Sequence, residues 1–381
     1  MDKKTAIIHC GVDRDPQTGA AGVPLYLAST YHQPDVAEHQ EYAYSRVSNP
    51  TRGAVEKALA ELEGGAAAFA FSSGMAAIAS SFLLFRPGDH VLVADALYGG
   101  TFTALTKLFS NWGLEATFVD MTDLDAVKKA IRPATKCLYI ETPSNPHLAI
   151  TDLAGVAAIA REYGLLTMID NTFATPYLQT PMEFGFDLVL HSATKFLNGH
   201  SDVLGGFIVA RTPELAQRIH FLQVAFGAVL GVSDSWLLLR GLRTLAVRME
   251  ASQASAAVLA QKLSELPEVK AVFYPTLPGH PGRDIHMRQA RGGGAVLSFE
   301  LRDGAMAREF LRRVTLPLVA VSLGGVESIM SYPVTMSHGR MPEEERLRRG
   351  ITDSLIRFSV GLEAPEDLLA DITAALAACR S

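Results

Sequence analysis

The chain has 381 residues, of which 48% are hydrophobic and 19% charged, enough for roughly two domains with sizeable cores. Lysine and arginine total 34 against 40 aspartates and glutamates, a formal charge of −6 with no basic stripe, which argues against a nucleic-acid partner. Cys10, Cys137 and Cys379 have neither metal nor disulfide spacing, and no apolar window is long and unbroken enough for a bilayer span or a signal peptide, so a cytoplasmic protein without a metal site or membrane partner is expected.

Residues 1–48 are rich in Gly, Pro and Tyr, have no clear period, and close on Ser48-Asn-Pro-Thr51. With so little core of its own, this arm is expected to pack on another body such as a second subunit. From Thr51, Val55, Leu59 and Leu62 share one helical face until Gly64-Gly65 stops the helix.

Short apolar runs then alternate with amphipathic segments. The strands expected are 67–71, 90–94, 116–119, 137–140, 165–169, 187–190 and 206–210, with helices such as 124–131 and 153–163 between them. That alternation predicts an α/β fold with a mostly parallel sheet covered on both faces. In such sheets ligands collect beyond the carboxyl ends of the strands, where Ser72-Ser73-Gly74, Asp95, Glu141, Asp170 and Ser192 to Lys195 fall. The large domain is expected over residues 49–245. Beyond it a long helical stretch, Pro-rich turns, strands 295–300 and 355–360 and helices 305–314 and 365–377 suggest a smaller α+β domain over 246–381. The run Glu343 to Arg349 offers i,i+4 pairs Glu344/Arg348 and Glu345/Arg349 and reads as a solvated helix face.

Five groups of residues carry chemistry. Ser192, Thr194 and Lys195 follow a strand and set two hydroxyls beside one amine, which suits a phosphate plus an aldehyde, the two functions of pyridoxal phosphate; the bare motif alone fits a surface lysine better. Ser72-Ser73-Gly74-Met75 opens a helix expected over Ala76 to Phe85, where backbone N–H groups bind anions, although small residues also simply start helices. Asp170 at a strand end can hold a pyridine nitrogen protonated, or can serve as a turn or cap residue. Tyr98, before Gly99-Gly100, can stack on a ring and transfer protons, or simply occupy a Gly-rich turn. Arg357, inside the apolar run Leu355 to Val360, needs a carboxylate, whether from a substrate or from a structural salt bridge.

Taken together, these motifs resemble the Cys/Met-metabolism family of pyridoxal-phosphate enzymes, from about Thr5 to Ala377. The matching stretches are Tyr44-Ser-Arg46-Val-Ser-Asn-Pro-Thr51, Ser73-Gly-Met75, Leu97-Tyr-Gly-Gly100, Glu141-Thr-Pro-Ser-Asn-Pro146, Asp170-Asn-Thr, His191-Ser-Ala-Thr-Lys195, Ser322-Leu-Gly-Gly325 and Arg357-Phe-Ser-Val-Gly361. The resemblance implies an aspartate-aminotransferase-like fold (fold type I). It makes Lys195 the cofactor-bearing lysine and proton carrier, and has Asp170 pair with the pyridine nitrogen while Tyr98 stacks on the ring. Gly74, Met75, Ser192 and Thr194 would hold the phosphate, with Tyr44 and Arg46 lent by a neighbouring subunit of a homo-oligomer, a tetramer built as a dimer of dimers. Asn145, Ser322 and Arg357 would lie near the substrate carboxylate.

Val321 and Thr103 bear on the substrate's far end. Family members acting on cystathionine commonly carry Glu at the first position and Arg near the second, whereas methionine γ-lyases, which also lack these charges, usually have Cys where Gly100 stands. The implied activity is γ-elimination from cystathionine, homocysteine or methionine, giving a thiol, ammonia and 2-oxobutanoate. β-Cleavage of cystathionine, γ-replacement on an acylated homoserine, and a silent cofactor-binding protein are the alternatives.

Overall fold

The computed structural model describes residues 1–11, 15 and 17–379. Its larger sheet contains β1 (Ala67–Phe71), β2 (His90–Ala94), β3 (Glu115–Val119), β4 (Thr135–Glu141), β5 (Leu166–Asp170), β6 (Leu188–Ser192) and β7 (Gly206–Ala210), in the spatial order β1-β7-β6-β5-β4-β2-β3. β7 runs antiparallel to both its neighbours, and the pairs among β2 to β6 are parallel. Successive side chains of a strand point to opposite faces, and β2 divides accordingly. Leu92 and Ala94 join a core with helices Pro50–Glu63, Leu153–Tyr163 and Val232–Leu242, whereas Val91 and Val93 join one with helices Gly74–Phe82 and Pro213–Phe226. Both faces are covered, which is why these strands read as unbroken apolar runs.

The second sheet holds β8 (Val269–Phe273), β9 (Val296–Leu301), β10 (Leu318–Val319), β11 (Ile329–Ser331) and β12 (Leu355–Ser359), ordered β10-β11-β12-β9-β8. Its core takes side chains from helices Leu245–Ser264, Gly304–Arg313 and Pro365–Ala378. The molecule is therefore an α/β protein with a large parallel-rich sheet and a smaller, mostly antiparallel one. Among the described residues, no helix is long and apolar enough to cross a membrane.

Three local expectations need correction. The strand placed at 187–190 is 188–192, because His191 and Ser192 continue the pairing with Phe207 and Gly206. The helix placed from Ala76 begins at Gly74, with the Ser73 hydroxyl accepting from Ala76 N–H at 3.0 Å as its N-cap. The charge run does form a helix, Glu343–Arg348, with no buried residue, but its basic end is more than a solvated face.

That basic end joins the two sheets. Arg348 and Arg349 both pair with Asp95, just beyond β2, at 2.9 and 2.8 Å, and Arg349 Nε donates to the Asp95 carbonyl at 2.9 Å. Arg349 also pairs with Glu345, as expected, whereas Arg348 pairs with Glu345 at i,i+3. The Arg349 guanidinium lies 5.0 Å from the centre of the Phe102 ring and 5.6 Å from that of Phe118. Its side chain is 4% exposed and that of Arg348 51%. Removing Arg349 takes the buried partner from Asp95 and leaves it with the exposed Arg348, whereas removing Arg348 deletes a pair screened by water. Arg349→Ala should therefore cost about 1–3 kcal/mol, and Arg348→Ala less than about 1 kcal/mol. Thermal-unfolding midpoints should rank wild type, Arg348→Ala, Arg349→Ala in falling order; equal midpoints for the two variants would contradict the clamp.

Candidate active site

Parallel pairing sets the carboxyl ends of adjacent strands side by side. Glu141 ends β4, Asp170 ends β5, and the two are register partners. The Asp170 carboxylate accepts from Thr172 N–H at 3.0 Å and from the Thr172 hydroxyl, and that hydroxyl in turn accepts from Ser192 N–H at 2.8 Å. Thr172 thus ties the end of β5 to the end of β6. Burial pushes the Asp170 carboxyl above its ordinary range, against the Thr172 bonds and the charges of His191 and Lys195. Glu141 is raised further, by burial and then by Asp170.

Lys195 follows β6 by three residues. Its Nζ donates to Ser322 Oγ at 2.6 Å. Burial, and then the charge of Arg357, bring its pKa down to about 8, while Asp170 opposes the shift. Ser322 comes from the smaller sheet's side and has φ of 88°, left-handed backbone that costs a non-glycine residue on the order of 1–3 kcal/mol. Its carbonyl accepts from Arg357 Nη2 at 2.6 Å.

Arg357 lies on β12, 3% exposed. Its guanidinium donates to Asn145 Oδ1 at 3.1 Å and Ser331 Oγ at 3.0 Å. The structural salt bridge weighed from the sequence is not formed: its hydrogen-bond partners are uncharged oxygens, and Nε is buried without a partner. Burial lowers this guanidinium's pKa to about 10, with the Glu141 charge opposing. A buried cation with a spare donor is a receptor for a carboxylate.

Tyr98 follows β2, 39% exposed, with its backbone N–H donating to Glu141 Oε2 at 2.8 Å. Gly100 lets the tyrosine ring fold back, since a Cβ there would lie 2.4 Å from Tyr98 Cε1 and 2.9 Å from Met75 Sδ. A cysteine at this position would therefore push the ring aside.

Gly74 and Met75 are the first two residues of helix Gly74–Phe82, whose N-terminal N–H groups lack intrahelical partners. The helix start is packed tightly onto the sheet: a Cβ on Gly74 would lie 2.9 Å from Ser192 Cβ, and one on Gly206 2.2 Å from the Ser73 carbonyl. Thr194 Oγ1 exchanges bonds with the Gly205 backbone at 3.1 and 3.3 Å.

Other expected residues stand apart from this cluster. Thr103 is half-buried and gives its hydroxyl to the Gly99 carbonyl at 2.9 Å. Val321 is 63% exposed, next to Ser322. Tyr44 and Arg46 are exposed; the Arg46 guanidinium lies 5.5 Å from the Tyr44 ring centre and donates to the Val224 carbonyl at 2.7 Å. A buried pair that the sequence reading did not single out lies behind Asn171: Glu63 and His191 meet at 2.7 Å, and Asn171 Nδ2 donates to Glu63 at 2.9 Å. Glu63 at the end of an apolar helix face was the available signal. Among the described residues no His/Cys/Asp/Glu group is arranged to hold a metal ion.

The cluster offers an amine poised near neutrality, a buried carboxylate short of cationic partners, and a glycine-opened helix N-terminus. These complement an aldehyde, a protonated pyridine and a phosphate, so the residues fit pyridoxal phosphate. A family model, Cys/Met metabolism PLP-dependent enzyme, matches residues 4–377, and the chain belongs to that family, as a pyridoxal-phosphate-dependent carbon–sulfur lyase. It is 53% identical over 373 residues to cystathionine β-lyase MetC of Bacillus subtilis, covering 98% of this chain and 96% of that one. It is 50% identical over 376 residues to the same organism's cystathionine γ-lyase, covering 99% of both. The crystal structure of cystathionine γ-lyase from Lactobacillus plantarum complexed with L-serine superposes with a TM-score of 0.97 at 46% identity, covering both chains fully.

Only the neutral form of Lys195 is nucleophilic. With a pKa of about 8, roughly one such amine in ten is neutral at pH 7, against fewer than about one in a thousand for an ordinary lysine. In cofactor-stripped enzyme the rate of pyridoxal-phosphate recapture, followed by absorbance, should rise with pH up to about 8 and level off above it. Arg357→Gln removes a neighbouring positive charge and should move that midpoint upward. A rate flat from pH 6 to 8, after allowing for the ligand's own titration, would overturn this placement of the amine.

Proposed function

We propose that this chain cleaves the carbon–sulfur bond of a thioether amino acid of the cystathionine class by γ-elimination, releasing a thiol, ammonia and 2-oxobutanoate. The observation that carries the reading is the contact of the Lys195 amine with Ser322 beside the unpartnered Nε of Arg357. This puts a proton acceptor near the place where an α-carboxylate would be held.

Bound pyridoxal phosphate supplies an electron sink for the carbanion formed at Cα. Lys195 would hold the cofactor's aldehyde and, as a free amine, would take the proton from Cα and, on the γ route, move a second proton from Cβ. Arg357 clamps the α-carboxylate with the help of Asn145 and Ser322, which turns Cα towards Lys195. Asp170 would keep the ring nitrogen protonated, Gly74, Met75, Ser192 and Thr194 would hold the phosphate, and Tyr98 would face the ring and offer its hydroxyl to the leaving sulfur. Val321 and Thr103 leave the far end of the substrate without an ion partner, which favours short or uncharged tails. A cytoplasmic location is in keeping with three cysteines that are all unpaired.

The same reading lends Tyr44 and Arg46 to the phosphate of a neighbouring subunit in a tetramer, with residues 1–48 as the crossing arm, 49–245 as the cofactor domain and 246–381 as the smaller domain. Both residues are exposed in the single chain, where the Arg46 guanidinium meets the Tyr44 ring and the end of helix Pro213–Phe226. Arg46→Ala and Lys195→Ala chains, each nearly inactive alone, should regain part of the activity when mixed, since a hybrid can contain one site with both residues intact. Verified subunit exchange without recovery would assign Arg46 to its own chain's site.

A second reading, β-elimination of cystathionine, is favoured by the 53% identity to a β-lyase. The two differ in the keto acid released from cystathionine. We expect 2-oxobutanoate to dominate; pyruvate as the main product would replace the γ reading by the β one. Cystathionine formed from an acylated homoserine and cysteine at a faster rate than either keto acid appears would mean replacement.

A further inference from the structure

Glu141 touches two sides of the site at once. It is 5% exposed, and its two oxygens each accept a backbone N–H, Oε2 from Tyr98 at 2.8 Å and Oε1 from Asn145 at 2.9 Å. Asn145, 2% exposed, passes the contact on by accepting from Arg357 Nη1 at 3.1 Å. From Arg357 the chain of contacts continues through the Ser322 carbonyl, and the Ser322 hydroxyl accepts from Lys195. One carboxylate therefore joins the loop after β4 to the turn after β2, whose Tyr98 lies 43 residues before Glu141 along the chain.

We propose that Glu141 is a positioning residue that locks the Tyr98 turn and the Asn145–Arg357 arm into one geometry, so that the ring-facing and carboxylate-facing halves of the site move together. Two facing N–H donors require two acceptor oxygens. Glutamine supplies one and turns an NH₂ donor on the other N–H, while aspartate keeps the charge but is one methylene too short to meet both. The inference rests on the proposed roles of Tyr98 and Arg357, so each needs its own control.

The test uses the cofactor-loaded enzyme and two readouts independent of turnover. Visible circular dichroism reports how the bound cofactor is held, and titration with L-alanine, which has no leaving group, reports the carboxylate site through the cofactor's absorbance. Glu141→Gln should change the dichroism and weaken alanine binding roughly tenfold, the loss of one buried hydrogen bond, while the cofactor stays bound through its phosphate. Combined with Arg357→Lys, the two losses should not add, because both act on one arm. Should Glu141→Gln fail to fold, Glu141→Asp is put through the same measurements. Wild-type dichroism and alanine affinity in the variant that folds, even with a lowered melting temperature, would reduce Glu141 to a structural role and overturn the proposal. Arg357→Lys and Tyr98→Ala separate the layers. If Arg357→Lys leaves alanine binding intact, or Tyr98→Ala leaves the dichroism intact, the underlying roles fail; if both controls respond and Glu141 variants do not, only this inference fails.

Discussion

Two carboxylates ending neighbouring parallel strands, Glu141 and Asp170, are both buried, and like charges this close cannot both ionise cheaply in a dry site. The arrangement persists because compensation arrives from elsewhere in the fold. The Tyr98 and Asn145 N–H groups, and then the Arg357 charge, pull Glu141 down, and the Thr172 bonds, and then His191 and Lys195, do the same for Asp170. Burial, and then the charge of Arg357, bring the Lys195 amine towards neutrality. A low-pKa lysine, an under-compensated aspartate and an arginine with a spare N–H are three consequences of crowding charges into one buried site. A cationic ring nitrogen and an anionic substrate would each enter where the opposite charge is in excess.

This balance explains why the second sheet is needed. The larger sheet brings the two carboxylates and Lys195 together by strand register alone, but Arg357 and Ser322 come from the smaller sheet's side. Their placement therefore depends on how the two sheets are joined. Asp95 is held by Arg348 and Arg349 three residues before Tyr98, so one junction lies beside the site. Ser322 adds a second, with its left-handed backbone held between Lys195 and Arg357. Strain of that kind survives only where surrounding contacts over-determine it.

The larger sheet was legible in the sequence because both its faces are covered. Gly206–Ala210 is apolar throughout and His90–Ala94 is apolar after its first residue. Val269–Phe273, Leu318–Val319 and Ile329–Ser331 were not seen: the first has no fully buried residue, and the others are two and three residues long. The site showed a similar division. Asp170, Lys195 and Tyr98 stood out because each is a functional group just past a strand. Arg357 stood out as a charge within an apolar run. What stayed hidden were pairings between distant segments. Glu63 meets His191 across 128 positions, and Arg349 meets Asp95 across 254. Local patterning carries no signal for either, so the run ending in Arg349 looked like a solvated face.

The choice between bonds to cleave is hard to read from these residues for a physical reason. β- and γ-elimination share the first proton transfer at Cα, so the residues that orient Cα and accept its proton serve both. On the proposed reading the routes part after that step, when the γ route takes a second proton from Cβ, and the position of sulfur relative to Lys195 and Tyr98 would decide between them. Tyr98 is held by two backbone features: its N–H is tied to Glu141, and its ring folds into space left by Gly100. A side chain at position 100 would displace the ring and alter the reach of its hydroxyl without touching Lys195, Asp170 or Arg357. On that reading, how far the turn after β2 lets this ring travel would bear on reaction type alongside which groups are present.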